Sequence, residues 1–582
     1  MKYNYARLFH LICLCAWLLS ACKKDKLDHA RDNRIIKDGQ ENSGVRLVNT
    51  NGYNQVIVNG DTLTNYVVIT DPPEPGTNPW EYPGTRFFPK NGKLGNTWYL
   101  PRSLLLQDGT ATVKVDIRSA KQAAYNMEFK VQEDYNLPMD YYLLKTKEEP
   151  YIVESPPSVV AVPRGVIAPA RPDHFKIRVV NMAARLTSQF QDVENVALPL
   201  TLTWADGTRV NPATSNIAPG HYSEYIELPY GTCQFKLLTP SGTQVTAMPY
   251  NFTEGIDVID PATSTITRPA SGRPHTVTTA LTFAPVMTYQ PGGIYTIYIA
   301  PKTITIPYYN GNPGETVTMV QNAFDVITDA SLPLNNTYAR VQWVNALPGS
   351  KGLSLRLNGQ KLGAAPAFGE VGEYAACIVG SAELITADAA GKPLATLSYA
   401  LKEGLNYTAW VHEDTAGKVA ITMVSNNLSG TYTRVGDNGQ DATYSAYKKT
   451  YPFDIRFMNF CKDLPYVTFT EANGQSFGNR LCENLQPGIV PFGEIPYIGK
   501  GAASPAYEVK VYRSSPQVVP GTWLSDIPSI PSRALIAQPE LYVRGTLPMH
   551  EPGIYTIALI GGYKQGTPAG EKARMIIVKH TK

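Results

Sequence analysis

The stretch with the strongest formal claim to chemistry is Gly474-Gln475-Ser476-Phe477-Gly478, a G-x-S-x-G. In a hydrolase this spacing works because the serine sits on a sharp strand-to-helix turn that lifts its hydroxyl out of the sheet. Here Asn473-Gly474 reads as a β-turn, and the residues that follow, GNRLCENLQPG, contain no helical pattern, so a hairpin is expected instead of a nucleophile. The eight histidines are scattered, with no H-x-x-x-H or C-x-x-C spacing, and predict no metal site and no cofactor. His412-Glu413-Asp414 reads as a solvated cluster at a hairpin tip. Facing carboxylates in a sheet protein lie far apart in sequence, so a glycosidase pair has no support from spacing.

Cys461 and Cys482 are close enough in the chain to share one core, and two readings stand side by side: a disulfide, or two buried thiols. Aromatic residues offer binding chemistry. Trp80, Tyr82, Phe87, Phe88, Trp98 and Tyr99 crowd one Gly- and Pro-rich stretch, PWEYPGTRFFPKNGKLGNTWYL. Rings on loops suit sugar faces or a protein partner; the competing expectation is a long loop folded over its own sandwich end. Tyr308 and Tyr309, in TIPYYNGNPGE, form a second candidate of the same kind.

The elements that must position these residues are strands. Gly and Pro number 46 each and Tyr 35, and long Ala/Leu/Glu/Lys stretches with helical spacing are absent from the sequence. Four segments open alike, at Val45 (VRLVN), Ile177 (IRVVN), Val341 (VQWVN) and Ile455 (IRFMN). Each alternates apolar and polar residues, so one face enters a core while Arg46, Arg178, Gln342 and Arg456 are expected to point away from it. Each ends in an asparagine, Asn49, Asn181, Asn345 or Asn459, a residue that tolerates turn geometry and bonds the local backbone. AFGEVGEY at 367–374 parallels PFGEIPY at 491–497. Late in the repeats come GGIYTIYI, GLNYTAWV and PGIYTIAL, with DYYLLK at 140–145 a looser match; Tyr295, Tyr407 and Tyr555 read as structural corner tyrosines.

These phases predict an all-β protein of tandem immunoglobulin-like β-sandwich repeats at 44–146, 174–330 (with insertions), 338–428 and 452–582, joined by linkers at 147–173 and 429–451. Valines and isoleucines in the first linker leave room for an edge strand there. A chain of 582 residues exceeds one core, in line with several domains of ~100–200 residues.

The start of the chain sets its expected location. Lys2 and Arg7 precede an uncharged apolar run from Leu8 to Leu19, too short for the ~20 residues of a span and ordered like a secretory signal. Leu19-Ser20-Ala21-Cys22 resembles a bacterial lipobox, which implies cleavage of residues 1–21, lipidation of Cys22 and attachment to a membrane through buried acyl chains. Residues 22–43 are charge-rich and read as a solvated tether. Removing the signal lowers the formal charge from +3 to +1, which gives no basis for nucleic-acid binding.

The RVxxVN-like openings, the central FGE and the closing G-x-YT strand together resemble the tandem domains of an uncharacterised family of Bacteroidota lipoproteins, best over residues 338–428. The resemblance implies an immunoglobulin-like fold and export as a lipoprotein, and it implies no activity. In that group an acidic run after the cysteine is expected for display on the cell surface, whereas here the run is mostly lysine. The resulting expectation is a non-catalytic, lipid-anchored outer-membrane protein, facing the cell surface, that presents adhesion or binding domains to a cell-surface protein. The alternative is a glycan-capture lipoprotein of a polysaccharide uptake system.

Overall fold

Each opening run forms a strand, Asn42–Asn49, His174–Asn181, Tyr338–Asn345 and Phe453–Asn459, because alternating branched and aromatic residues fit a pleated surface. The computed structural model describes residues 41–581 except for internal segments, the longest being 70–79, 248–257, 268–286, 308–315, 429–452 and 537–552. Among the described residues the chain is all-β, with short 3₁₀ turns and no α-helix. The signal, Cys22 and most of the tether lie outside them, as do Tyr308 and Tyr309 and the whole of the 429–451 linker.

The described chain divides into two compact units, one from the N-terminal side to Val48 with Tyr53–Asp140, the other from Asn49–Gly52 with Tyr141–Lys582. In the first, Gln55–Val58 lies between Asp61–Thr62 and Thr110–Arg118, and Ala123–Gln132 completes that sheet. Asn42–Asn49 pairs antiparallel with Thr97–Pro101.

The second unit holds three sandwiches. In the sandwich built on Tyr338–Asn345, one sheet runs Ala375–Ile378, Tyr338–Asn345, Asn406–Glu413, Val419–Asn426. The facing sheet runs Gln360–Lys361, Ser354–Leu357, Gly380–Ala387, Pro393–Leu401. Trp343, Leu355, Leu384 and Tyr407 fill the core between them. The last sandwich repeats this plan with Ile498–Gly499, Phe453–Asn459, Gly553–Ile560 and Arg574–Lys579 facing Val467–Thr470, Glu508–Ser515 and Val518–Trp523. The sandwich built on His174–Asn181 has a longer hairpin, Ile294–Pro307 with Thr316–Thr328. In the 147–173 segment the chain makes two short strands, and Ile152–Glu154 pairs with Arg185–Leu186, so the edge strand left open by the sequence is present.

One pairing differs from an immunoglobulin sandwich, whose two sheets are antiparallel. In all three sandwiches of the second unit the opening strand runs parallel to the G-x-YT strand, with Ile177 opposite Tyr295, Val341 opposite Tyr407 and Ile455 opposite Tyr555. The corner tyrosines are structural, as expected. The hydroxyls of Tyr295 and Tyr407 accept from the backbone N–H of Gln290 and Lys402, each five residues upstream, while Tyr555 donates to the Leu535 carbonyl.

The strand-ending asparagines do more than turn the chain. Asn459 accepts from the Cys461 N–H and donates to the carbonyls of Leu464 and Leu485, pinning two loops to one strand end. Asn181 accepts from Ala183 and donates to Leu198 and Ile217. Asn345 accepts from Leu347 and donates to Pro366. The backbone carbonyls of the same three asparagines accept from Gly220, Gly369 and Gly488, each at positive φ (80°, 86° and 72°), a conformation glycine adopts without steric cost. At the asparagine carbonyl of the last sandwich the part of Gly369 is played by Gly488 of LQPG. Residues 492–496, with the second FGE, lie outside the described set.

Candidate functional site

The aromatic segment of the first unit is folded over its own sandwich. Trp80-Glu81 pairs with Val67-Val68, and Trp80 is half-buried. Tyr82 meets Tyr66 edge-on with centroids 5.5 Å apart and accepts a 2.9 Å hydrogen bond from Asn54 Nδ2, while Lys93 sits 5.3 Å over its ring. Burial, then the neighbouring Tyr66, pushes the Tyr82 hydroxyl above its usual range. Phe88 is buried 5.4 Å from Trp98, and the Arg46 guanidinium lies 5.7 Å over Tyr99. Tyr82, Trp98 and Tyr99 are half-buried and engaged by neighbours, the arrangement expected of a self-packed loop more than of open sugar platforms.

At the G-x-S-x-G the expected turn is present: Gly474, at φ 81°, donates to the Glu471 carbonyl, and Ser476 pairs back to Thr470 across the hairpin. Ser476 Oγ lies 3.3 Å from Cys482 Sγ. Cys461 and Cys482 are both buried thiols of one core, not a disulfide, and burial pushes the Cys461 thiol up to about 12. Among the described residues no group of three or more His, Cys, Asp or Glu is placed to hold a metal ion. No helix among them is long and apolar enough to cross a membrane.

The most elaborate polar constellation was invisible in the sequence. The residues expected to point out to solvent, Arg46, Arg178, Gln342 and Arg456, are 1–3 % exposed, because the outer face of each opening strand is itself covered. Arg46 forms a bidentate pair with Asp140, at 2.9 and 2.6 Å. In the other three repeats the parallel register sets Arg178, Gln342 and Arg456 opposite Thr296, Thr408 and Thr556, the threonines of the YT dipeptides, and each donates to its threonine hydroxyl.

Between the last two sandwiches these rows meet. Arg456 donates to the Ser425 carbonyl, to Asn426 Oδ1 and to Thr556 Oγ1. Asn426 in turn donates to Tyr374 Oη at 2.9 Å and Thr408 Oγ1 at 2.8 Å. His580 lies 2.7 Å from Thr556 Oγ1 through Nε2 and 3.0 Å from Gln342 Nε2 through Nδ1. An amide nitrogen can only donate, so Nδ1 accepts and the proton sits on Nε2. Beside this polar patch is an apolar one, with Val344, Trp410 and Val424 against Met458, Phe460 and Ile560; Trp410 stacks on Phe460 at 4.5 Å.

His412 belongs to this layer, which corrects the expectation of a solvated tip. It is 2 % exposed, its ring lies 4.9 Å from that of Phe460, and Nδ1 donates to the Glu413 carbonyl, leaving Nε2 to Thr422 Oγ1. Glu413 pairs with Lys462 at 2.7 Å, and only Asp414 behaves as a tip residue, accepting from the N–H groups of Ala416 and Lys418. Burial holds His412 below its ordinary value; burial and then the Arg456 charge hold His580 well below it. Thr556 and His580 form a hydroxyl–imidazole pair, but with the proton on Nε2 the ring donates to the hydroxyl and cannot act as its base. Both are sealed from solvent, and Thr556 Oγ1 is already taken by Arg456, so the pair serves cohesion.

A second junction joins the sandwiches built on His174–Asn181 and Tyr338–Asn345. The Arg340 guanidinium lies 4.7 Å over Tyr374 and 5.8 Å from Tyr230, donating to Asn406 Oδ1. It presses on Gly231, where a Cβ would come within 2.1 Å of Arg340 Nη1.

No family model and no curated protein matches the chain.

Proposed function

We propose that the chain is a non-catalytic, lipid-anchored protein of a Gram-negative cell envelope that displays stacked immunoglobulin-like sandwiches as adhesion or binding modules. The location rests on the lipobox-like Leu19-Ser20-Ala21-Cys22 behind a short apolar signal. The observation that supports the presenting role is the buried layer from Gln342 to His580, which packs the last two sandwiches against each other and favours a stiff pair over a jointed one. A stiff spacer serves to hold a surface at a distance, and jointed domains would serve that end poorly. Glycan capture draws less support, since the rings of the aromatic segment are spent on one another and on Arg46, Lys93 and Asn54.

The test has two arms. Incorporation of an alkynyl fatty acid should occur in the native chain and vanish in Cys22→Ala. Protease treatment of intact cells should remove an epitope between Trp80 and Tyr99; protection until lysis would overturn the surface assignment and leave an internal scaffold.

A further inference from the structure

Register makes the last two sandwiches comparable residue by residue. Tyr407 lies opposite Val341 and Ser425, and Tyr555 lies opposite Ile455 and Lys579. Gln342 is thereby the counterpart of Arg456, His412 of Ile560, and Asn426 of His580, while Gly369 and Gly488 cap the equivalent asparagine carbonyls. Under this equivalence the contacts between the sandwiches come in matched pairs. Gln342 reaches His580, and in return Arg456 reaches Asn426. Gly488 lies against His412, where a Cβ would come within 2.6 Å of Cε1, and Gly369 lies against Ile560, where a Cβ would come within 3.3 Å of Cδ1. Trp410 stacks on Phe460, and their counterparts Ala558 and Ala346 share the same apolar cluster. Even the surroundings match, since Gln342 and Asn426 both donate to Thr408, and Arg456 and His580 both bond Thr556.

A contact that recurs with its two ends exchanged is the signature of a two-fold axis. We propose that the sandwiches at 338–428 and 452–582 form an internal pseudo-dimer, and that the outer face of the opening strand's sheet is a pairing surface whose partner is the same face of a neighbouring repeat. Two locks set its specificity. Each joins a donor on one opening strand, Gln342 or Arg456, to an acceptor at the end of the other sandwich's closing strand, His580 or Asn426. The surface is not confined to this pair: Arg178 Nη1 donates to the Pro163 carbonyl, at the end of Val159–Pro163, as Arg456 Nη1 donates to that of Ser425.

Locks related by a two-fold axis are interchangeable. In the full-length chain, followed by urea unfolding and Trp fluorescence, Gln342→Arg should destabilise the last two sandwiches. Adding His580→Asn should recover about tenfold in the unfolding constant, because the lock then repeats that of Arg456 and Asn426. The mirror change, Arg456→Gln with Asn426→His, should recover likewise from Arg456→Gln alone. All four substitutions together exchange the locks across the axis and should unfold within about tenfold of the native constant. Gln342→Arg with His580→Ala, which offers no amide acceptor, should show no recovery. Recovery in neither or in only one of the two double variants, equal recovery with His580→Ala, or a fourfold variant less stable than either double variant would each overturn the proposal.

Discussion

Gln342 of one sandwich donates its amide to the imidazole of His580 in the next, across 238 residues of chain and 3.0 Å of space. Both side chains are almost wholly buried, so this contact reports the protonation state of His580 directly. Protonating Nδ1 would turn the acceptor into a donor facing a donor, beside the Arg456 charge.

Stability of the last two sandwiches should therefore fall in acid. The folded-state values of His580 and His412 are depressed, so the unfolded chain takes up protons first as pH drops below about 6.5, at a cost of ~1.4 kcal/mol per pH unit for each proton. The loss continues until pH passes the folded-state values. Thermal unfolding followed from pH 8 to pH 5 should show a falling Tm, with a shallower slope in His580→Gln; equal slopes would remove His580 as the cause.

Arg456→Ala should separate the sandwiches energetically. It leaves Asn426 Oδ1, the Ser425 carbonyl and Thr556 Oγ1 without their buried donor, a loss of ~3 kcal/mol or more given ~1–3 kcal/mol per orphaned group. Denaturant unfolding watched by Trp fluorescence should become broader or split into two steps.

Trp410→Ala tests the apolar half of the same layer. Removing a fully buried indole stacked on Phe460 should cost ~3–5 kcal/mol. Trp410→Phe, which keeps a stacking ring, should recover most of it, and an equal loss in both variants would mean that volume, not stacking, dominates.

Asn459→Asp keeps shape and removes the two donors held by Leu464 and Leu485. A loss of ~2–4 kcal/mol is expected from two buried carbonyls facing a carboxylate. Hydrogen exchange should quicken at the Phe469 amide, which bonds Cys482 across the affected loop, more than at Gly417 on a remote hairpin.

Much of the fold was legible because period-two alternation and turn residues are local signals. The four openings are strands, the corner tyrosines tie loops, and Asn473-Gly474 turns a hairpin, each set by a few neighbouring residues. Alternation says that a strand has two faces; it does not say what covers the second. Arg178, Gln342 and Arg456 look like solvent residues for that reason, and their threonine partners lie 66 to 118 residues away. A polar residue at that place in the opening, answered by the threonine of each YT, was the available clue.

Sequence by itself determined the strand content, the repeat and the side chains able to lock it, since these depend on residue type and short spacing. Only the tertiary structure decided that the locking residues meet between sandwiches, that His412 is buried, and that Gly488 caps the Asn459 carbonyl as Gly369 caps that of Asn345. Those outcomes depend on which faces pack together, a property of distant chain segments brought close by burial and invisible to any local pattern.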